Sequence, residues 1–461
     1  MASFCRYIVG FYCIVLLNLI LGSCSTNIRI SETNNTLIDT VKTIDTLDAN
    51  LVDDYFQPVF LKLETYVYYS NIKTVMLHRE GWPLSAPVID LNSDQRLQLR
   101  FDDLDADVKD YYYTVVHCNI NWEPSDLFPT DYINGFVENE ITDYQFSFNT
   151  MNDYTHYNLE FPNDNILLNY SGNYLLKVYL NGNQDSLAIT YRFMVVDTKV
   201  EIASTVKQAT LINDRNYKQE IDFSIVHEGY EIFDPYGDVS VVITQNNRWD
   251  NAKYGLSPTF VRENELVYDF EEENVYVAGN EFRSFDFKSF RYKTERIESY
   301  MYDTTGQHVY LKKDDKRSFR RYFSKTDING RYFIRNEDSN GDAVVDGDYA
   351  FVHFSLPFEA PVIDGNLYVV GAFTHWGFNT DNKMTYNYNN KAYELVSQVK
   401  QGYYEYMYSY LKDGSGDGDI AFVEGSHYET ENEYCIFVYN TSVQNNYHQL
   451  ISVKNFGSRS R

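Results

Sequence analysis

The sequence predicts an all-β protein built of tandem immunoglobulin-like β-sandwich domains. Three observations lead there. Short runs of strand-forming residues recur between turn signals along nearly the whole chain. The 43 tyrosines and 30 phenylalanines among 461 residues suit pleated, half-buried surfaces. No long helical period competes with these runs. The length exceeds what one core supports and suits about three domains.

Residues 1–23 read as a secretory signal. Arg6 supplies the positive region, an apolar run follows from Tyr7 to Leu21, and Leu21, Gly22 and Ser23 lead into Cys24. That run is about 15 residues, short of the roughly 20 that a spanning helix needs. The expectation is cleavage before Cys24 and lipidation there. Residues 24–57 are polar and acidic, without Gly/Pro punctuation, and read as a tether that gives reach from a membrane.

The first domain is expected at 58–197. VYYSNIKTVMLH, QRLQLRF, YYTVVHC, YQFSFNT, YNLEF, NYLLKVYL and LAITYRFMVV supply about seven strands, the number of an immunoglobulin-like sandwich. The run ending at Leu180, the turn Asn181-Gly182-Asn183 and the run to Val196 signal a hairpin. A second β domain is expected at 198–346, with KQEIDFSIVHEG, DVSVVITQNNRW and ERIESYMYD as strands and Glu271, Glu272 and Glu273 in a solvated loop. The third is expected at 347–461, opening on YAFVHFSLP.

The block at 101–157 mixes acidic turns, stacked tyrosines and short strands with no catalytic spacing. It carries Asp102, Asp103, Asp105, the run Tyr111-Tyr112-Tyr113, His117-Cys118, Trp122, Ser125-Asp126-Leu127, Asn149-Thr150 and Tyr154-Thr155-His156-Tyr157. Further on stand Ser171-Gly172-Asn173-Tyr174, Arg248-Trp249-Asp250-Asn251, Pro258-Thr259-Phe260, Gly279-Asn280-Glu281-Phe282-Arg283, Asn329-Gly330-Arg331 and 425–432, GSHYETEN. In this order, over roughly residues 60 to 455, they resemble the plug protein family of the type IX secretion system. The resemblance implies a non-enzymatic stopper that closes the periplasmic mouth of a very large outer-membrane translocon barrel while no cargo passes. It implies that barrel as partner, with membrane contact through a lipid anchor. Cys24 is followed by Ser25-Thr26-Asn27-Ile28-Arg29, without the acidic cluster that often marks surface-bound lipoproteins of such bacteria, so the periplasmic leaflet of the outer membrane is the expected location.

A rival reading comes from the third segment. The run 367–376, LYVVGAFTHW, with Lys391-Ala392-Tyr393-Glu394 and Gln401-Gly402-Tyr403-Tyr404-Glu405-Tyr406, resembles the early-set immunoglobulin-like fold of glycogen-binding modules. There Trp376 matches a sugar-stacking tryptophan, which would make the chain a carbohydrate-binding outer-membrane lipoprotein. A sugar platform needs further coplanar aromatics, and Trp82, Trp122 and Trp249 fall in other segments. Fold alone does not fix function.

No metal, cofactor or small-molecule substrate is expected. The stretch 413–424 fits the twelve-residue calcium loop, with Asp413, Ser415 and Asp417 as oxygen ligands, Gly418 sixth and Glu424 twelfth. Its flanks read as strands where such loops need helices, so a flexible hairpin loop is expected. The acidic turn at 336–342 has Gly347 where the bidentate glutamate belongs and reads as a loop or domain junction. No catalytic residues emerge: His227-Glu228 lacks the second histidine of a zinc-protease motif, and there is no nucleophile elbow, phosphate-cradling loop or paired-cysteine pattern. Carboxylate pairs abound, as they must in so acidic a chain, so spacing alone leaves a glycosidase pair open. His117 and His156 read as hydrogen-bonded sheet residues. Cys118 and Cys435 read as small buried apolar residues in different domains.

Residues 1–23 hold one arginine and no acid, so the mature chain would carry 38 basic against 66 acidic residues, a net of −28. Such a charge disfavours nucleic acid and anionic lipid headgroups. It suits a soluble acidic coat or a basic partner surface. Which residues touch the barrel is not legible at this level.

Overall fold

Strand alternation sets the architecture. In Gly306–Leu311 every second side chain is buried, and Lys218–Val226 and Tyr349–Pro357 follow the same period, as sheets with one face on a core require. We analysed a computed structural model that describes residues 60–442 and 446–458. The expected signal, Cys24 and the tether lie outside the described residues. Among the described residues the α-helices are three single turns, Pro129–Tyr132, Ala343–Asp346 and Ala421–Glu424, and no helix is long and apolar enough to cross a membrane.

The first sandwich packs two sheets. One runs in the order Tyr66–Val67, Leu187–Val196, Gly172–Leu180, Tyr111–Cys118, Asn139–Glu140, with Val88–Asp90 parallel to Leu187–Val196. The other runs Ile72–Arg79, Leu97–Asp103, Thr155–Phe161, Asp143–Phe146. The expected hairpin forms, with Tyr174 opposite Phe193 and Asn181 and Gly182 at positive φ in its turn. Aromatic rings fill the core: Phe101 stacks on Tyr157 at 5.1 Å, and Tyr111 meets both edge-on.

The second sandwich departs from the expected domain limits. One sheet is local, built from Glu201–Gln208, Lys218–Val226, Glu265–Tyr268, Phe260–Arg262 and Val275–Val277. The other runs Arg248–Lys253, Val239–Gln245, Glu433–Asn440, Gln449–Gly457. The last two strands of the chain therefore complete the second sandwich, not the third. Val239–Gln245 is buried on both faces, so it needs a neighbour along each edge, and Glu433–Asn440 supplies one over seven paired residues. Cys435 accordingly belongs to the second sandwich. The Glu271-Glu272-Glu273 run is an exposed loop, as its charge requires.

The third sandwich is thus inserted into the second. Its first sheet centres on Gly402–Lys412, which pairs with Arg283–Asp286, Tyr332–Ile334, Gly365–Val370 and Gly418–Asp419. Its second runs Ile297–Asp303, Gly306–Leu311, Tyr349–Pro357, Ala392–Lys400, Thr385–Asn387. The run ERIESYMYD, expected in the second domain, is an edge strand here, because its partner Gly306–Leu311 lies parallel to Tyr349–Pro357.

Candidate functional site

The polar residues of the recognisable block converge on joints between sandwiches. Asp102, fully buried at the end of Leu97–Asp103, takes a 2.6 Å hydrogen bond with His156 Nδ1 on the neighbouring strand. Its second oxygen accepts from Tyr349 Oη at 2.6 Å and Lys400 Nζ at 2.7 Å, both in the third sandwich. Lys400 also donates to the Val344 carbonyl and lies 4.0 Å from the centre of the Tyr154 ring. The Tyr154 hydroxyl donates to the carbonyls of Val344 and Gly347, and the Asp348 carboxylate accepts from the backbone N–H of Met151 and Asn152. The acidic turn at 336–342 leads straight into this joint, where Asp342 caps the turn Ala343–Asp346.

Burial opposes both charges. For Asp102 the Lys400 ammonium and the His156 bond outweigh it and hold the carboxyl below the usual range. For Lys400 burial prevails over the pull of Asp102 and lowers its pKa. Such a pair adds little against an apolar substitute, but removing one partner costs about 3–5 kcal/mol because the other stays buried and unmatched.

The joint between the first and second sandwiches is aromatic. Trp122, 1 % exposed, meets Trp249 edge-on at 4.9 Å, and the Arg192 guanidinium lies 4.5 Å above the Trp122 ring. Tyr439 Oη donates to Asn173 Oδ1 at 2.8 Å, and the backbone N–H groups of Asp197 and Lys199 donate to Leu450 and Ile451 carbonyls.

The third joint gathers the remaining motifs. Asn280 donates to the Glu424 carbonyl, His427 N–H and Thr430 Oγ1 donate to the Gly279 carbonyl, and Asn432 bridges Ala278, Gln219 and Asn246. Residues 425–432 are therefore a strap from the third sandwich back to the second. Arg331 reaches across to Glu433 at 2.7 Å. Beside it lie three acids, Glu281, Asp327 and Glu405. Burial raises all three, Glu281 and Glu405 to about 7. The Glu405 carboxylate still accepts from the N–H groups of Ile328 and Gly330 and from Tyr403.

Trp376 belongs to this joint too. Arg248 of the second sandwich lies 5.2 Å from its ring centre, and Phe282 meets it edge-on at 5.9 Å. Gly330, at φ +78°, approaches so closely that a Cβ there would fall 2.4 Å from the ring. The ring is occupied by protein on these sides, which removes the main support for a sugar platform. The segments that suggested a glycogen-binding module do form strands, Gly365–Val370, Ala392–Lys400 and Gly402–Lys412, but their tryptophan is packed against Arg248, Phe282 and Gly330.

The calcium-loop pattern is likewise taken apart. Gly418–Asp419 folds back on Tyr410 and Leu411 as a hairpin, and Glu424 is fully buried elsewhere. It accepts from Arg283, from Arg317 at 2.7 Å and from the Tyr408 N–H. Burial pushes its pKa up, but the two guanidiniums override this and hold it near about 2. Among the described residues two tight acid groups stand out, Asp103–Asp105–Asp107 and Glu220–Asp222–Asp269, and each surrounds a lysine: Lys109 at 2.7 Å from Asp103, Lys207 at 3.0 Å from Glu220. His117 is bonded to Ser125 Oγ and the Ser171 carbonyl, and burial lowers its pKa to about 4. Cys118 and Cys435 are free and buried, and burial pushes the Cys118 thiol up to about 12. Lys400, Tyr349, Glu405 and Glu424 were not singled out for these roles from the sequence. The only available signal was a charged residue in the buried phase of an apolar strand, as at Lys400.

Asp102, His156, Trp122, Trp249, Trp376 and Glu424 are thus engaged in internal bonds and joints, and the fold they hold together is an all-β, multi-sandwich body. The family model described as the type 9 secretion system plug protein first domain matches residues 72–197, and the chain belongs to the plug protein family of the type IX secretion system, which is not an enzyme family. It is similar to a hypothetical protein from Parabacteroides merdae known from a 2.30 Å crystal structure, with 34% identity and a TM-score of 0.83 over 86% of this chain and 100% of that one. No curated protein matches.

Proposed function

We propose that the protein closes the periplasmic opening of the large outer-membrane translocon barrel of type IX secretion while no cargo passes, held to the periplasmic leaflet by a lipid on Cys24. The observation that carries this is the closed set of joints: each sandwich is bonded to both others, through Asp102–Lys400, Trp122–Trp249 and Arg331–Glu433. A stopper must not bend out of the opening under load, and three sandwiches joined pairwise by buried contacts suit that need.

Reversible closure also calls for aromatic anchors within a polar rim. The edge strand Asp143–Phe146 is exposed throughout, and Tyr144, Phe146, Phe148 and Met151 stand out from it and the following turn. This is the docking edge we favour.

The test is affinity capture of the tagged full-length lipoprotein from detergent-solubilised outer membranes, followed by mass spectrometry. Co-recovery of one very large outer-membrane barrel supports the assignment. Its absence, with only glycans or soluble proteins retained, rejects it.

A further inference from the structure

The chain carries a net charge of −27, yet residues 312–325, KKDDKRSFRRYFSK, hold seven basic residues against two acids. One of those acids, Asp314, is buried and tied to Arg283 and Arg296. Among the cations, Arg317 is committed to Glu424, and Lys316 lies 4.2 Å from the Phe422 ring centre. Lys312, Lys313, Arg320, Arg321 and Lys325 remain exposed, with Arg320 paired to the exposed Asp315 and Lys325 donating to Ser284 Oγ at 2.7 Å, also at the surface. Between them Phe319 and Phe323 are 76% and 80% exposed. The segment contains no strand, so it offers no edge for a peptide to extend. At its base a pocket of about 430 Å³ is walled by Phe319, Arg320, Tyr217 and His427, room for a lipid headgroup.

We infer that this loop is a membrane-contact element that sets Phe319 and Phe323 into the headgroup boundary of an anionic phospholipid surface, with Arg321, Lys325 and Arg320 on the phosphates. Exposed phenylalanines flanked by cations are the combination that binds such a surface. Apolar rings enter the interface, and each nearby Lys or Arg strengthens attachment roughly fivefold. The acidic remainder of the molecule does not prevent this, since at physiological ionic strength charges are screened beyond about 8 Å. The element is separate from the lipid on Cys24 and from barrel docking. It would fix the orientation of the body against the membrane, which a single lipid attachment does not specify.

The experiment uses the full chain carrying Cys24→Ser, so that no acyl group contributes. Co-sedimentation is measured with vesicles of phosphatidylcholine and with vesicles of equimolar phosphatidylcholine and phosphatidylglycerol. The expected result is stronger binding to the anionic vesicles that fades with salt, and a loss of at least about tenfold for Arg321→Gln with Lys325→Gln and for Phe319→Ser with Phe323→Ser. These side chains are exposed, so circular dichroism and melting should be unchanged. Equal binding to both vesicle types, or variants that bind as the parent does, overturns the inference. So does a loop whose variants lose the translocon barrel while vesicle binding is absent from the start. Barrel capture that persists in the variants keeps this result apart from the plug assignment.

Discussion

Lys400 Nζ lies 2.7 Å from Asp102 Oδ2, although 298 residues and two different sandwiches separate them, and both side chains are buried. His156, Tyr349 and Tyr154 surround the pair. The most recognisable stretch of the sequence is thus half of a joint whose other half comes much later in the chain.

Lys400→Met leaves the Asp102 charge buried without its ammonium, and Asp102→Asn does the converse. Each is expected to cost about 3–5 kcal/mol in chemical denaturation, with the double variant costing less than the two separately. Additive losses would show that the two groups act independently.

Trp376→Ala should loosen the joint between the second and third sandwiches, with a stability loss of roughly 2–4 kcal/mol, since part of the ring is accessible. The parent protein should show no retention on glycan columns. Retention lost in the variant would instead restore the carbohydrate-binding reading.

Glu424→Gln strips a buried partner from Arg283 and Arg317 and should destabilise by about 3–5 kcal/mol. Calcium added to chelator-treated protein should leave the melting temperature unchanged, because the twelfth position of the apparent calcium loop is already occupied by guanidiniums. A calcium-dependent rise would contradict that assignment.

Stability should depend on pH in two opposite ways. Glu281 and Glu405 have folded pKa values near 7, above the unfolded 4.5, so the folded state binds more protons between these limits. Lowering pH from 7 to 4.5 should therefore raise stability, by about 1–2 kcal/mol after allowance for screening. Glu424, near 2, and Asp102, below its usual value, work the other way: their stabilisation is present above the unfolded carboxylate pKa and is lost as pH falls through the folded one. A melting-temperature series should peak in mild acid, and Glu405→Gln should flatten the rise. A monotonic fall from neutral pH would count against the buried acid cluster.

The all-β class, the Leu187–Val196 hairpin and the solvated acidic loop were legible because each is a local pattern of alternation or turn chemistry. Domain limits were not. Glu433–Asn440 reads as a strand from its own residues, but nothing local says that it lies beside Val239–Gln245, since partners are chosen by burial across the sheet. Trp376 invited a sugar-stacking reading for the same reason: the Arg248 that covers it comes from another sandwich. The 312–325 loop escaped notice because the charge of the whole chain conceals a local excess of the opposite sign.

The central claim is closure of the barrel, and planar-bilayer conductance of the purified translocon barrel tests it most directly. The barrel alone should conduct, and adding the protein should abolish the current reversibly, while Lys400→Met, with its loosened joint, should close it less completely. A barrel that stays open when the protein is demonstrably bound would contradict the account.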